Sequence, residues 1–256
     1  MKTQSSSGGF TLVELLVVIG IVAVLAALLL PAIESVRDEG KKAACLSNLR
    51  NIGAGIALYA ADHSACIPYG PKAGPFTSPA DFYPSTGAPT SLISLRSGEP
   101  VGLGLTLKYL KDPHILFCPG AEQRMDADTE LSRVGNTQAQ SGYYYRHAGN
   151  TQLFDSPNLP EPHNLMLGNL GDNRNGRPVR ALVIDTIFLC PDDLGDFNVK
   201  PRSNHREKFA NILFSDGHAA SRANGDARFT VDIRTGSLRA AFDKILKVFE
   251  TADQEP

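Results

Sequence analysis

From Phe10 to Leu30 the chain runs for 21 residues with a single charge, Glu14. At about 1.5 Å per residue, such a run makes roughly 31 Å of helix, the thickness of a bilayer's hydrocarbon core. A cleaved secretory signal has a shorter apolar region, a basic leader and a small-residue cut site behind it. Here only Lys2 precedes the run as a base, and the apolar stretch is too long. A plain membrane anchor accounts for the length but leaves Glu14 unexplained. A carboxylate inside an apolar helix is costly and is usually kept for a purpose.

Beyond Pro31 the pattern stays helical and becomes amphipathic. Ile33, Val36, Ala43, Leu46, Leu49, Ile52, Ile56 and Tyr59 recur at threes and fours, with Glu34, Arg37, Asp38, Lys41, Lys42 and Arg50 between them. A helix from Phe10 to about Ala61 would span roughly 78 Å, half in a membrane and half packed on a soluble head. Gly40, Gly53 and Gly55 weaken its interior and mark close packing or flexibility.

The remainder is long enough to bury a core. With 42% hydrophobic residues and a formal net charge of -2, nothing global points to nucleic acid. The absence of Trp, with 17 Pro and 23 Gly, predicts a loop-rich body of short elements. Residues 62–98 are rich in Pro, Gly, Ser and Thr and read as an irregular excursion, with Tyr69, Phe76, Phe82 and Tyr83 as loop anchors or as a stacking surface for sugars. Four cysteines, Cys45, Cys66, Cys118 and Cys190, follow the apolar segment and would face an oxidising compartment. Cys45 and Cys66 are poorly placed to bond along one helix. Cys118 and Cys190 each end an apolar run before a proline, so that pair is the expected disulfide if one forms, with buried thiols as the alternative.

Three further stretches carry polar groups that invite a chemical reading. In "GDNRNGRP", Asp172, Asn173 and Asn175 offer oxygen ligands, but the spacing is not that of an EF-hand, and a turn explains it more simply than calcium. In "HREKFANILFSDGH", "FANILF" reads as a strand, Asp216-Gly217 as a two-residue hairpin turn, and "HAAS" as the returning strand. His205, Asp216 and His218 could instead gather as metal ligands or an acid–base set; with no Cys-x-x-Cys, helical ligand pair or Gly-x-Ser-x-Gly beside them, the turn is preferred. Last, "GSLRAAFDKILKVFE" predicts a helix capped by Ser237, with Leu238, Ala241, Phe242, Ile245 and Phe249 as its apolar stripe and a frayed tail from Thr251 to Pro256.

The N-terminal run "GGFTLVELLVVIGIVAVLAALLLP" resembles the N-terminus of type IV prepilins and type II secretion pseudopilins. The resemblance implies cleavage by prepilin peptidase between Gly9 and Phe10, methylation of the new N-terminus at Phe10, and an assembly role for Glu14. It also places Pro31 where many pilins carry a kinking proline. "CLSNLRNIG", "ILFCPG", "SGYYYR", "ALVIDT" and the C-terminal His205 with Asp216-Gly217 resemble a pilin-like family abundant in planctomycete and verrucomicrobial bacteria, whose C-terminal motif is written H-X9-DG. Here ten residues separate His205 from Asp216, one more than that name requires.

Together these readings predict an α+β, pilin-like chain: a leader over 1–9, a transmembrane and assembly helix over 10–31, and a head over 32–256. The head would comprise an amphipathic helix at 32–61, the irregular region at 62–98, and an antiparallel sheet with a terminal helix at 99–256. The expected function is structural, not enzymatic. It is that of a pilin or pseudopilin held in the inner membrane with its head in the periplasm, then assembled with other subunits into a filament or surface structure, without cofactor, metal or nucleic acid. The alternative is a membrane-tethered module whose head binds an extracellular ligand such as polysaccharide.

Overall fold

A computed structural model of the chain describes residues 12–70, 89–122, 125–147, 165–191, 201–235 and 238–255. The chain divides into two compact units, Met1–Gly40 and Lys41–Pro256. Helix α1 spans Leu12–Asp62 and continues through Pro31. In the first unit its large apolar residues from Leu12 to Leu30 lie exposed, with none of the most apolar window buried. Among the described residues this is the helix long and apolar enough to cross a membrane, compatible with a single-pass anchor.

In the second unit, an antiparallel sheet of five strands takes the order β1-β2-β3-β5-β6. These strands are β1 (Thr90–Ser94), β2 (Ala139–Tyr145), β3 (Ala181–Ile184), β5 (Phe209–Phe214) and β6 (Ala219–Ala223). A second, two-stranded parallel sheet joins β4 (Ile187–Leu189) to β7 (Thr230–Asp232). The arrangement is α+β, as the sequence predicts. Strand β1 lies inside the stretch read as irregular: "TSLIS" is buried along its whole length and so lacks the apolar–polar alternation that announces a half-exposed strand. Residues 71–88 of that stretch, including Phe76, Phe82 and Tyr83, lie outside the described residues.

The pleat sends alternate side chains to opposite faces, and two cores result. On one face Cys45, Leu49, Ile52 and Ile56 of α1 pack with Tyr143, Tyr145, Val183 and Leu213. This stripe is rotated from the expected one: Ala43 is exposed and Cys45 is wholly buried. Gly53 and Gly55 sit under Leu213 and Leu110, where an added Cβ would lie 3.0 and 2.7 Å from side-chain carbons, so close packing is their role. A short helix, α2 (Ala127–Arg133), precedes β2, and on the other face of the sheet Tyr144, Ile184, Ala210, Ile212 and Phe214 meet helix α3 (Leu238–Ala252) through Phe242, Ile245, Val248 and Phe249. Strand β5 shows the division residue by residue: Ala210, Ile212 and Phe214 serve the α3 core, while Leu213 serves the α1 core.

The C-terminal end is anchored where fraying was expected. Asp253 is 5% exposed; its carboxylate accepts hydrogen bonds from Arg146 Nη1 (2.7 Å), Asn173 Nδ2 (2.8 Å) and the backbone amides of Arg180 and Ala181 (2.8 and 2.9 Å). Glu255 pairs with Arg222 and Arg228. The predicted cap, Ser237, lies outside the described residues.

Candidate functional site

On the α1 face of the sheet, four buried ligand-type atoms converge from four separate segments. Cys45 comes from the buried stripe of α1. Cys118 comes from the turn after a 3-10 helix (Pro113–Leu116), Asp185 from the residue after β3, and His205 from the loop before β5. Their donor atoms all lie within 4.8 Å of one another, and all four residues are buried. Cys45 Sγ is 3.3 Å from Cys118 Sγ and 3.1 Å from Asp185 Oδ2. His205 Nε2 is 3.4 Å from Cys118 Sγ and 3.1 Å from Asp185 Oδ2.

The local backbone holds each group in place. Cys118-Pro119-Gly120 turns so that the Gly120 amide donates to Cys118 Sγ at 3.3 Å, and the His205 amide donates to the Gly120 carbonyl at 3.0 Å. Only glycine fits at position 120, since a Cβ there would lie 2.2 Å from the imidazole of His205. His205, Arg206 and Glu207 have φ of 51°, 52° and 61°, a left-handed run that costs roughly 1–2 kcal/mol per residue. Such strain persists only where surrounding contacts over-determine it. The imidazole stacks on Phe209 with ring centroids 4.5 Å apart. Asn211, facing the same side of β5, gives its amide and its Nδ2 to the two oxygens of Asp185. Tyr143 Oη lies 3.3 Å from Cys45 Sγ.

The electrostatics follow from burial and from these contacts. Burial, then the hydrogen bond to Cys118 and the charge of Asp185, push the Cys45 thiol well above its ordinary range. For His205 burial disfavours the charged ring, but the bonds to Asp185 and Cys45 outweigh it and raise the imidazole to about 9. Burial likewise lifts Tyr143. An open pocket of about 500 Å³ adjoins Cys118; His114, Met125, Gly142, Arg202 and Asn204 are among its other lining residues.

The structure separates the residues of the C-terminal motif. His205 belongs to the buried cluster, whereas Asp216 and Gly217 form the β5–β6 turn. His218 hydrogen-bonds Asp216 there and stacks on Phe214. Four residues, Ser215 to His218, separate the strands; the Phe214 amide bonds the His218 carbonyl and the Gly217 amide the Phe214 carbonyl, so the tip is a three-residue loop rather than the expected two, with Gly217 at φ 87°. In "GDNRNGRP" the Asn173 side-chain oxygen accepts from the amides of Asn175 and Arg177, a turn role that uses the oxygen considered for calcium. None of the four cysteines forms a disulfide. The expected pairing of Cys118 with Cys190 is not formed, because Cys118 packs in the α1 core and Cys190 in the α3 core. Sequence reasoning missed Cys45, Cys118, Asp185 and Asn211 as members of one site with His205. The available signal was "ALVIDT", an apolar strand ending abruptly in a carboxylate.

At the N-terminus, Gly9 and Phe10 lie outside the described residues, and Glu14 sits exposed in the first turn of α1. Comparison with curated proteins and with solved structures gave no significant match. Residues 4–30 match the Prokaryotic N-terminal methylation motif. The match is confined to this N-terminal segment, at the head of the apolar helix α1, and supports a type IV pilin-like N-terminus ahead of an α+β head.

Proposed function

We propose that the chain is a structural subunit, a pilin or pseudopilin, that is cut between Gly9 and Phe10, methylated at Phe10 and assembled with like subunits into a filament. The observation that carries this reading is the methylation motif over residues 4–30, continuous with the exposed apolar stretch of α1. Cleavage creates an ammonium group at Phe10, and a buried charge of that kind needs an opposite charge nearby. Glu14 is the acidic residue in the first turn of α1. In a packed filament, the Glu14 of one subunit would meet the N-terminus of its neighbour. The head contributes no catalysis in this reading; it is a rigid body displayed by the helix, held in the inner membrane before assembly. Mass spectrometry of the mature protein tests it. The expected N-terminal peptide begins at N-methylated Phe10, and Gly9→Val accumulates full-length precursor. An intact Met1, or a cut beyond Leu30, would overturn the reading.

A further inference from the structure

We propose that Cys45, Cys118, Asp185 and His205 bind a structural zinc ion through two thiolates, a carboxylate oxygen and Nε2. The inference rests on the geometry of the head and is independent of the filament reading.

Three observations carry it. First, the distances suit a metal tetrahedron. With Zn–S of about 2.3 Å and Zn–N or Zn–O of about 2.0–2.1 Å, the edges between ligands should run from roughly 3.3 to 3.8 Å. Five of the six edges are 3.3 Å (Cys45–Cys118), 3.1 and 3.8 Å (each sulfur to Asp185), 3.4 Å (Cys118–His205) and 3.1 Å (His205–Asp185), a slightly contracted tetrahedron whose edges lie within about 0.5 Å of those lengths. The two sulfurs are thus well beyond the length of a disulfide, about 2.05 Å.

Second, protons alone serve the cluster badly. His205 Nε2 faces Asp185 Oδ2, which asks it to donate, and also Asn211 Nδ2 at 3.0 Å, which asks it to accept. One ring nitrogen cannot do both. Reversing the Asn211 amide would point its oxygen at the carboxylate, and as placed Asn211 Oδ1 is buried with no partner among the described residues. A cation among the four ligands takes the Nε2 lone pair and lets the carboxylate and both sulfurs face one positive centre.

Third, groups around the cluster suit anionic ligands. The Gly120 amide points at Cys118 Sγ, the amide and Nδ2 of Asn211 bind Asp185, and the Tyr143 hydroxyl reaches Cys45. Donors of this kind orient ligands and offset thiolate charge in metal sites. Two sulfurs with an imidazole select zinc over the oxygen-seeking calcium and magnesium. Four buried protein ligands fill a tetrahedral shell, the ligand count of a structural site.

The test uses the full chain, extracted from membranes in detergent without chelator, and elemental analysis after gel filtration. Equimolar zinc is expected in the wild type and in Cys66→Ser and Cys190→Ser, and its loss is expected in Cys118→Ser and His205→Ala. Because these two variants could fail to fold, the wild type is also stripped and reloaded with cobalt(II). Thiolate-to-metal charge-transfer bands and the visible absorption of tetrahedral cobalt are expected. Zinc-free wild type that fails to take up cobalt, a peptide pair disulfide-linked through Cys45 and Cys118, or zinc retained in both ligand variants would each overturn the proposal.

Discussion

Gly217 and Gly120 are both required, for different reasons. At Gly217 a Cβ would meet no heavy atom within 4 Å, so substitution meets only the positive φ of 87°. Gly217→Val should therefore cost the head about 1–2 kcal/mol, read as a lower melting temperature with the cluster intact. At Gly120 the obstacle is the His205 ring, 2.2 Å from the added carbon. The Asp216-Gly217 turn was legible in the sequence because turn chemistry is local. The cluster was not, because Cys45 and Asp185 are 140 positions apart and no spacing rule joins them. The long interval between His205 and Asp216 has a conformational content as well: it opens with the left-handed run at His205–Glu207 before β5 begins.

Helix α3 draws its stability from both its face and its end. Its apolar stripe was readable from periodicity, and Phe242, Ile245 and Phe249 are buried as that pattern implies. Its end was not readable, since "TADQEP" has the composition of a solvated tail and its partners, Arg146, Asn173 and the start of β3, are remote in sequence. Arg146 and Asp253 are 1% and 0% exposed at their side chains. Removing one member of such a pair leaves the other buried without compensation, which costs about 3–5 kcal/mol. Asp253→Ala should show a loss of that order by chemical denaturation. Glu255→Ala, which breaks only partly exposed pairs with Arg222 and Arg228, should cost roughly 1 kcal/mol or less. Equal losses in the two variants would contradict this account of the helix end. Strand β1 escaped the sequence reading for a related reason: total burial erases the two-residue period, and the Pro- and Gly-rich surroundings then dominate.

At the scale of the whole molecule, the proposed filament role makes Glu14 the residue that would separate storage in the membrane from assembly. Glu14→Val should leave insertion intact or improve it, since a carboxylate at a helix centre costs about 2.5–3.5 kcal/mol and less near an end. Filament yield in the native host should collapse. Wild-type filaments from this variant, with normal membrane levels, would show that the carboxylate has no part in assembly. The cluster joining Cys45 to Cys118, Asp185 and His205 also sets an order of events during synthesis. The chain emerges from its N-terminal side, and the tie cannot close until residue 205 has been made. Until then the face of α1 bearing Cys45, Leu49, Ile52 and Ile56 has no sheet to cover it. Contacts this distant in sequence form slowly. Chaperone capture and proteolysis of the uncovered helix therefore compete with the arrival of the last third of the chain.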